Sequence, residues 1–433
     1  MGHRVSFCLA GLVAAVVHVE PALAQSETSA LVETALPDNY DRDRNVSVLE
    51  RPRPDYDPIG IITGGFKILP RATVGAGFSN NVFASATDKV SDGYASFAPF
   101  VSAKSDWAVH QVSLQASGNF NRYFSEPRRN ENNFDLRSLG QLDFGSSFRL
   151  TGEAQYAQLL EQQDLGAISA NLAVLSRYRR AFVAGRAEYL AGKSRLALAV
   201  DHTWLDFRPI PLGNNVFINQ SDRNRGITRI TGQAQHALSP SIAVYAQLTY
   251  SDTVYDRDLL TGFPNRDSQA YRAIAGVNFD LAGFLRGKIG VGYVQRDYKS
   301  ALYRDIGGFS TEAKIEYFPT ELTTVTLQIG RTIEDAGIGT TSSSVDTRAQ
   351  LRVDHELLRN LLLNLNTDFA RQAYRDIQQT ANNYRVSFGA RYLSSRWLSL
   401  NLGTQYFRRD LFGSASNNKY REWRTLVGIT IQR

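Results

Sequence analysis

Spacings suited to acid–base, nucleophilic or metal chemistry are scarce in this 433-residue chain. Beyond the first 24 residues the histidines are His110, His202, His236 and His355, and none stands in an H-E-x-x-H or comparable ligand spacing. His202 follows Asp201 and His355 follows Asp354. Adjacent residues of an extended chain point to opposite faces, so neither pair forms a dyad by itself. A hydroxyl on a neighbouring strand could still meet one of these rings, which keeps a barrel lipase or acyltransferase open as a third alternative. "GIGTTS" from Gly337 lacks the P-loop lysine, and Gly75 and Gly77 of "VGAGF" read as strand positions that exclude bulk. No residue is assigned to catalysis, a cofactor or a metal.

Arginine is the abundant chemical group. Lysine and arginine total 48, of which 8 are lysine, leaving 40 arginines against 42 acids and a net charge of +6. The arginines are scattered, with no basic block or recognition motif, so nucleic acid is excluded as a partner. What the arginines can do depends on the elements that position them.

From Ile61 onward the period is two. In "SVDTRAQLRVDHELL", Val345, Thr347, Ala349, Leu351, Val353 and Leu357 fall on one side. Asp346, Arg348, Gln350, Arg352, Asp354 and Glu356 fall on the other. A strand places alternate side chains on opposite faces. "LLLNLNTDF" and "NYRVSFGARY" repeat the pattern, and it predicts about 18 strands, with 16 as the other count, each long enough to cross a bilayer at a tilt. Short connections near Ser105-Asp106, Gly145-Ser146, Gly192-Lys193, Ser239-Pro240, Gly283-Phe284, Pro319-Thr320, Arg359 and Ser395-Arg396 alternate with long polar ones. Soluble sandwiches and propellers also alternate residues, but their loops need not alternate in length, and their apolar face should be rich in large aliphatics. Here that face mixes Ala, Gly, Thr and Val, with Trp107, Phe148, Tyr156, Tyr189, Tyr250, Phe318, Trp397, Tyr406 and Trp423 near strand ends, as in an aromatic girdle. The expected fold is all-β: a transmembrane antiparallel up-and-down barrel over 61–433 in the outer membrane of a Gram-negative cell, touching lipid, with both termini periplasmic.

In that register Arg137, Arg149, Arg186, Arg229, Arg272, Arg286, Arg348, Arg352, Arg385 and Arg391 face the lumen. So do Asp135, Asp143, Glu153, Glu188, Asp280, Glu312, Glu316, Asp346, Asp354 and Asp368. So many charges need water, and 18 strands enclose enough of it. Two readings stay open: a paired ladder that props the wall, or guanidinium forks that guide an anionic or hydroxyl-rich polymer.

The N-terminal part differs. Arg4, an apolar run over 5–17 and Ala22-Leu23-Ala24 predict a secretory signal peptide over 1–24. The single cysteine, Cys8, lies within it, so the exported chain forms no disulfide. Residues 25–60, with prolines at 37, 52, 54 and 58, read as a flexible periplasmic lead. Its stiff part, "SVLERPRPDYDPIGI", is expected to hold the chain off the inner rim as a spacer, or to dock a periplasmic export protein. The closing strand, "KYREWRTLVGITIQR", ends in Arg433 rather than in an aromatic.

"RPRPDYDPIGI…GGFKILPRATVGAGFSNNVF" and "SDGYASFAPFVSAKSDWAVHQVSLQASGNFNRYF" together resemble the putative β-barrel porin 2 group of proteobacterial outer-membrane proteins. The match rests on Gly65, Phe66 and Pro70, on Asn81-Val82-Phe83, and on Pro99 followed by Ser105-Asp106-Trp107 and His110, within about residues 47–125. The resemblance implies an outer-membrane pore, in several members one for exopolysaccharide secretion beside periplasmic export proteins, with polysaccharide as cargo and no catalytic residues. A diffusion porin for small solutes is the alternative.

Overall fold

The computed structural model describes residues 46–161, 174–213, 215–281, 283–335, 341, 343–374, 377–413 and 419–433. The predicted signal peptide and residues 25–45 of the lead lie outside these.

Eighteen antiparallel strands form one sheet. They are β1 (Phe66–Ser79), β2 (Asp92–Ser105), β3 (Gln111–Tyr123), β4 (Glu131–Phe144), β5 (Phe148–Leu160), β6 (Arg177–Ala191), β7 (Ser194–Phe207), β8 (Arg225–Ser239) and β9 (Ile242–Tyr255). Then follow β10 (Ser268–Leu281), β11 (Leu285–Tyr298), β12 (Ile306–Thr320), β13 (Thr323–Asp335), β14 (Ser343–Leu358), β15 (Leu361–Tyr374), β16 (Gln379–Leu393), β17 (Leu398–Gly413) and β18 (Tyr420–Gln432). Each pairs with the next, and β18 pairs with β1 from Arg71↔Gln432 to Ser79↔Arg424, so the sheet closes into a barrel. Two short additions stand outside the ring: Ile61–Thr63 doubles back on β1, and a small hairpin of Ile210–Gly213 and Val216–Ile218 rises between β7 and β8. Among the described residues no helix is long and apolar enough to cross a membrane.

The period of two becomes an inside-out barrel. On β18, Val427, Ile429 and Ile431 stand about half exposed, while the alternate Thr430 and Gln432 are buried. Apolar outside and polar inside is the arrangement a strand needs when its outer neighbour is lipid. One expected girdle residue is misplaced: Phe318 is buried beneath the Arg286 guanidinium, 5.2 Å from its ring, and Tyr317 takes the outer position. A register shift between Tyr317 and Thr320 blurs the parity there.

The inner wall is fitted at its glycines. Tyr245 on β9 lies along the wall over Gly276 and Gly290 of the next two strands, where any Cβ would overlap its ring, and its hydroxyl reaches Glu312 on β12 at 2.9 Å. Gly77 likewise makes room for Tyr94, and a Cβ on Gly75 would meet the Val427 carbonyl. Gly290→Val should therefore displace Tyr245, break the Glu312 bond and cost about 1–3 kcal/mol. The readout is a lower temperature for the heat-induced gel-mobility shift of the folded barrel. Gly140→Val, where a Cβ meets open space, should leave that temperature unchanged.

Candidate functional site

The inward-facing charges are tied into a ladder. Strands about 4.8 Å apart, with side chains repeating every second residue, bring opposite charges within reach both along a strand and across to its neighbour. Arg149 Nε meets Asp143 at 2.6 Å. Glu153 lies between Arg137 at 3.4 Å and Arg186 at 2.5 Å. Asp201 holds Arg229 at 2.8 Å. Glu312 takes Arg272 at 3.2 Å and Lys288 at 3.5 Å, and Glu316 takes Arg286 at 2.5 Å. Along β14, Asp346 meets Arg348 at 3.3 Å, and Asp354 meets Arg352 at 2.7 Å. Glu188 meets Arg195 at 2.9 Å, Asp135 accepts from Gln155, Asp368 accepts from Asn366, and Asp280 faces Arg286 in the register. Arg385 stands over the Phe407 ring at 5.5 Å, and buried Arg391 donates to Gln432 at 3.3 Å.

The pairs are not symmetric in exposure. Arg137 is 42% exposed and its partner Glu153 11%. Arg348 is 35% exposed and Asp346 2%. Arg149 over Asp143 and Arg352 over Asp354 follow the same order. The short carboxylate stays against the wall, and the long arginine stem carries its head into water. A wall of ion pairs thus shows guanidinium to the lumen. These four arginines also fall on two facing walls. Arg137 and Arg149 lie on β4 and β5, Arg348 and Arg352 on β14, and β5 and β14 are nine strands apart in a ring of eighteen. Arg229, by contrast, is buried with Asp201, and Arg286 is buried against the half-buried Glu316; both tie the wall together.

At the end bearing the long connections, loop residues fold inward. Arg223 makes two bonds to Glu161, at 2.6 and 2.9 Å, and lies 3.9 Å from the Phe207 ring centre. Arg225 shares Phe207 with Tyr255, and loop residue Arg266 lies over Tyr255 at 5.4 Å. Burial, with Arg225 and Arg223 nearby, pulls the Arg266 guanidinium down to about 10. Tyr303 pins the same loop by donating to the Pro264 carbonyl at 2.7 Å. These residues come from separate loops and from the strand ends beside them, and no spacing in the sequence marks them.

At the opposite end, where the short turns lie, the stiff strip is not a spacer. Its described part runs along the rim formed by those turns. Arg396, in the turn after β16, donates to the Pro54 carbonyl at 2.9 Å, and Arg359, in the turn after β14, donates to that of Pro52 at 2.8 Å. Arg51 donates to the Glu321 carbonyl in the turn after β12. Arg53 is paired with Glu356 at 2.6 Å, each 4% exposed. The Val48 amide donates to Thr324 at 2.9 Å, its side chain packs with Tyr56, Leu362 and Leu393, and Glu50 reaches Arg286 at 3.5 Å. The two strip carbonyls that take Arg359 and Arg396 are those of Pro52 and Pro54, residues with no N–H to join a ladder.

The histidines do other work. Ser194 and His236 stand 2.9 Å apart, but Thr323–His355 at 2.9 Å and Thr228–His202 at 2.7 Å repeat this cross-strand hydroxyl bond. Among the described residues no carboxylate or amide orients the His236 ring as a triad would require. Asp201 faces Arg229 inside while His202 packs on Trp204 outside, ring centres 4.1 Å apart. No group of three or more potential metal ligands occurs among the described residues.

Solved structures of similar shape are outer-membrane barrels. The outer membrane protein OpdK of Pseudomonas aeruginosa is 11% identical, with 84% of this chain and 98% of that one covered and a TM-score of 0.44. The ferric enterobactin receptor PfeA of the same organism is 10% identical, with 84% and 80% covered and a TM-score of 0.43. No curated protein matches the chain in sequence. The family described as putative beta-barrel porin 2 matches residues 53–433, the whole of the ring and the latter part of the stiff strip before it. The closed eighteen-strand wall and its charged lumen are thus those of an outer-membrane, porin-like channel, and the chain belongs to the putative beta-barrel porin 2 family.

Proposed function

We propose that the channel is a passive conduit for an exopolysaccharide leaving the cell, with the short turns and both termini periplasmic and the long loops outside. The supporting observation is the exposure asymmetry of the ladder: guanidinium heads on facing walls over buried carboxylates suit a hydrated, anionic chain. Arg137, Arg149, Arg348 and Arg352 line the path, with Arg186 and Arg385 beside them. The reading needs no catalytic residue, cofactor or metal. A periplasmic export partner would hold the lead over 25–45, because the stiff strip beyond it is seated in the mouth.

A second reading, a diffusion porin for small anionic solutes, is favoured by the strip and the inward loops, which both take up lumen space. Deleting the gene and assaying surface polymer separates the two. Loss of surface polysaccharide, restored by the intact gene, is the expected result. Unchanged polymer, with slower uptake of a small organic anion, would replace this reading with the porin.

A further inference from the structure

We infer that Ser47–Asp57 is a releasable plug of the short-turn mouth, clasped by the Arg53–Glu356 pair. The strip passes the turns after β16, β14 and β12 in order and ends against β13 and β11, so it covers the inner rim from β11 to β16. That is an arc of six of the eighteen strands.

Its contacts hold it in one place without holding it hard. Only Val48, with Tyr56, makes an apolar seat, against Leu362 and Leu393. The rest is ionic or goes to carbonyls, apart from the Val48 amide on the Thr324 hydroxyl. Arg53 donates to Glu356, to the Val48 carbonyl at 2.8 Å and to the Arg51 carbonyl at 3.0 Å, and Glu356 also takes Arg359 at 3.3 Å. A buried ion pair regains in mutual attraction little more than it loses in hydration, and both charges are hydrated again once it opens. The pair therefore sets where the strip sits and resists little when the strip leaves. Pro52, Pro54 and Pro58 add a second safeguard, since a segment lacking those N–H groups cannot zip onto the barrel as a further strand. The path also suits release. A pull on the chain upstream of Val46 loads Val48 first and Arg53 next, so the contacts break in sequence rather than all at once.

The test uses the full exported chain in planar bilayers. Glu356→Arg places like charges at the clasp. It should raise single-channel conductance by about two-fold, as a mouth cleared along a third of its rim conducts more. The charge-swapped double variant Glu356→Arg/Arg53→Glu should return conductance to the starting value. A direct readout is Val48→Cys, which gives the exported chain a single thiol. This thiol should be protected from a membrane-impermeant maleimide in the parent and label at least about tenfold faster beside Glu356→Arg. Heat-induced gel mobility verifies that each variant is a folded barrel. Unchanged conductance and labelling in a folded Glu356→Arg channel would overturn the plug. A rise that the charge swap fails to reverse would overturn the clasp. Neither result bears on which solute the lumen passes, which the polymer assay reads separately.

Discussion

Changing Arg137, Arg149, Arg348 and Arg352 together to glutamine should turn an anion-preferring channel into a cation-preferring one. In each pair the carboxylate remains, closer to the wall, while the charge nearest the water is removed. The lumen-facing surface then changes sign on two opposite walls at once. A shift of about tenfold in the anion-to-cation permeability ratio corresponds to about 1.4 kcal/mol, well within the reach of several charges close to an ion's path. Reversal potentials in a salt gradient measure it, and the shift should shrink at high salt as screening grows. Restoring neutrality pair by pair, with Arg348→Gln and Asp346→Asn together, should move the ratio much less than Arg348→Gln alone. Arg391→Gln should barely move it, because that side chain is buried against Gln432. An unchanged sign in the four-fold variant would mean that the ladder only braces the wall.

Asp201→Ala should be among the most destabilising single changes in the wall. Arg229 and Asp201 are both buried, 2.8 Å apart, across the β7–β8 ladder. Removing the carboxylate leaves Arg229 in place with that compensation gone, at a cost of about 3–5 kcal/mol. The folded barrel should then lose its heat-resistant mobility at a clearly lower temperature, with selectivity unaltered in the fraction that folds. The double change Asp201→Leu/Arg229→Met should recover most of the loss, since a packed apolar pair can replace a buried ionic one.

Much of the wall is legible in the sequence because lipid on one side and water on the other enforce a strict period of two. The alternation of "SVDTRAQLRVDHELL" reappears as β14, Ser343–Leu358. The reading fails where parity or distance hides the answer. At Phe318 the register shift turns the side chain inward. The strip's composition announces that it is neither helix nor strand, yet its partners are remote: Arg53 and Glu356 are 303 residues apart, and Val48 and Thr324 are 276 apart. Arg223 and Glu161 meet from two different loops for the same reason. Asp201 is readable in principle. It sits opposite Arg229 in the β7–β8 register, but along the chain it stands out only as the neighbour of His202.

Closure of β18 on β1 has a consequence for biogenesis. The seam joins residues 71–79 to residues 424–432, the two extremes of the ring in sequence. Until the last thirteen-residue ribbon has been synthesised, every nascent or truncated form carries two raw borders of unsatisfied amides and carbonyls. A stop codon a few residues early would therefore leave an open, adhesive ribbon rather than a slightly smaller pore, and envelope proteases should clear such products while sparing the completed ring.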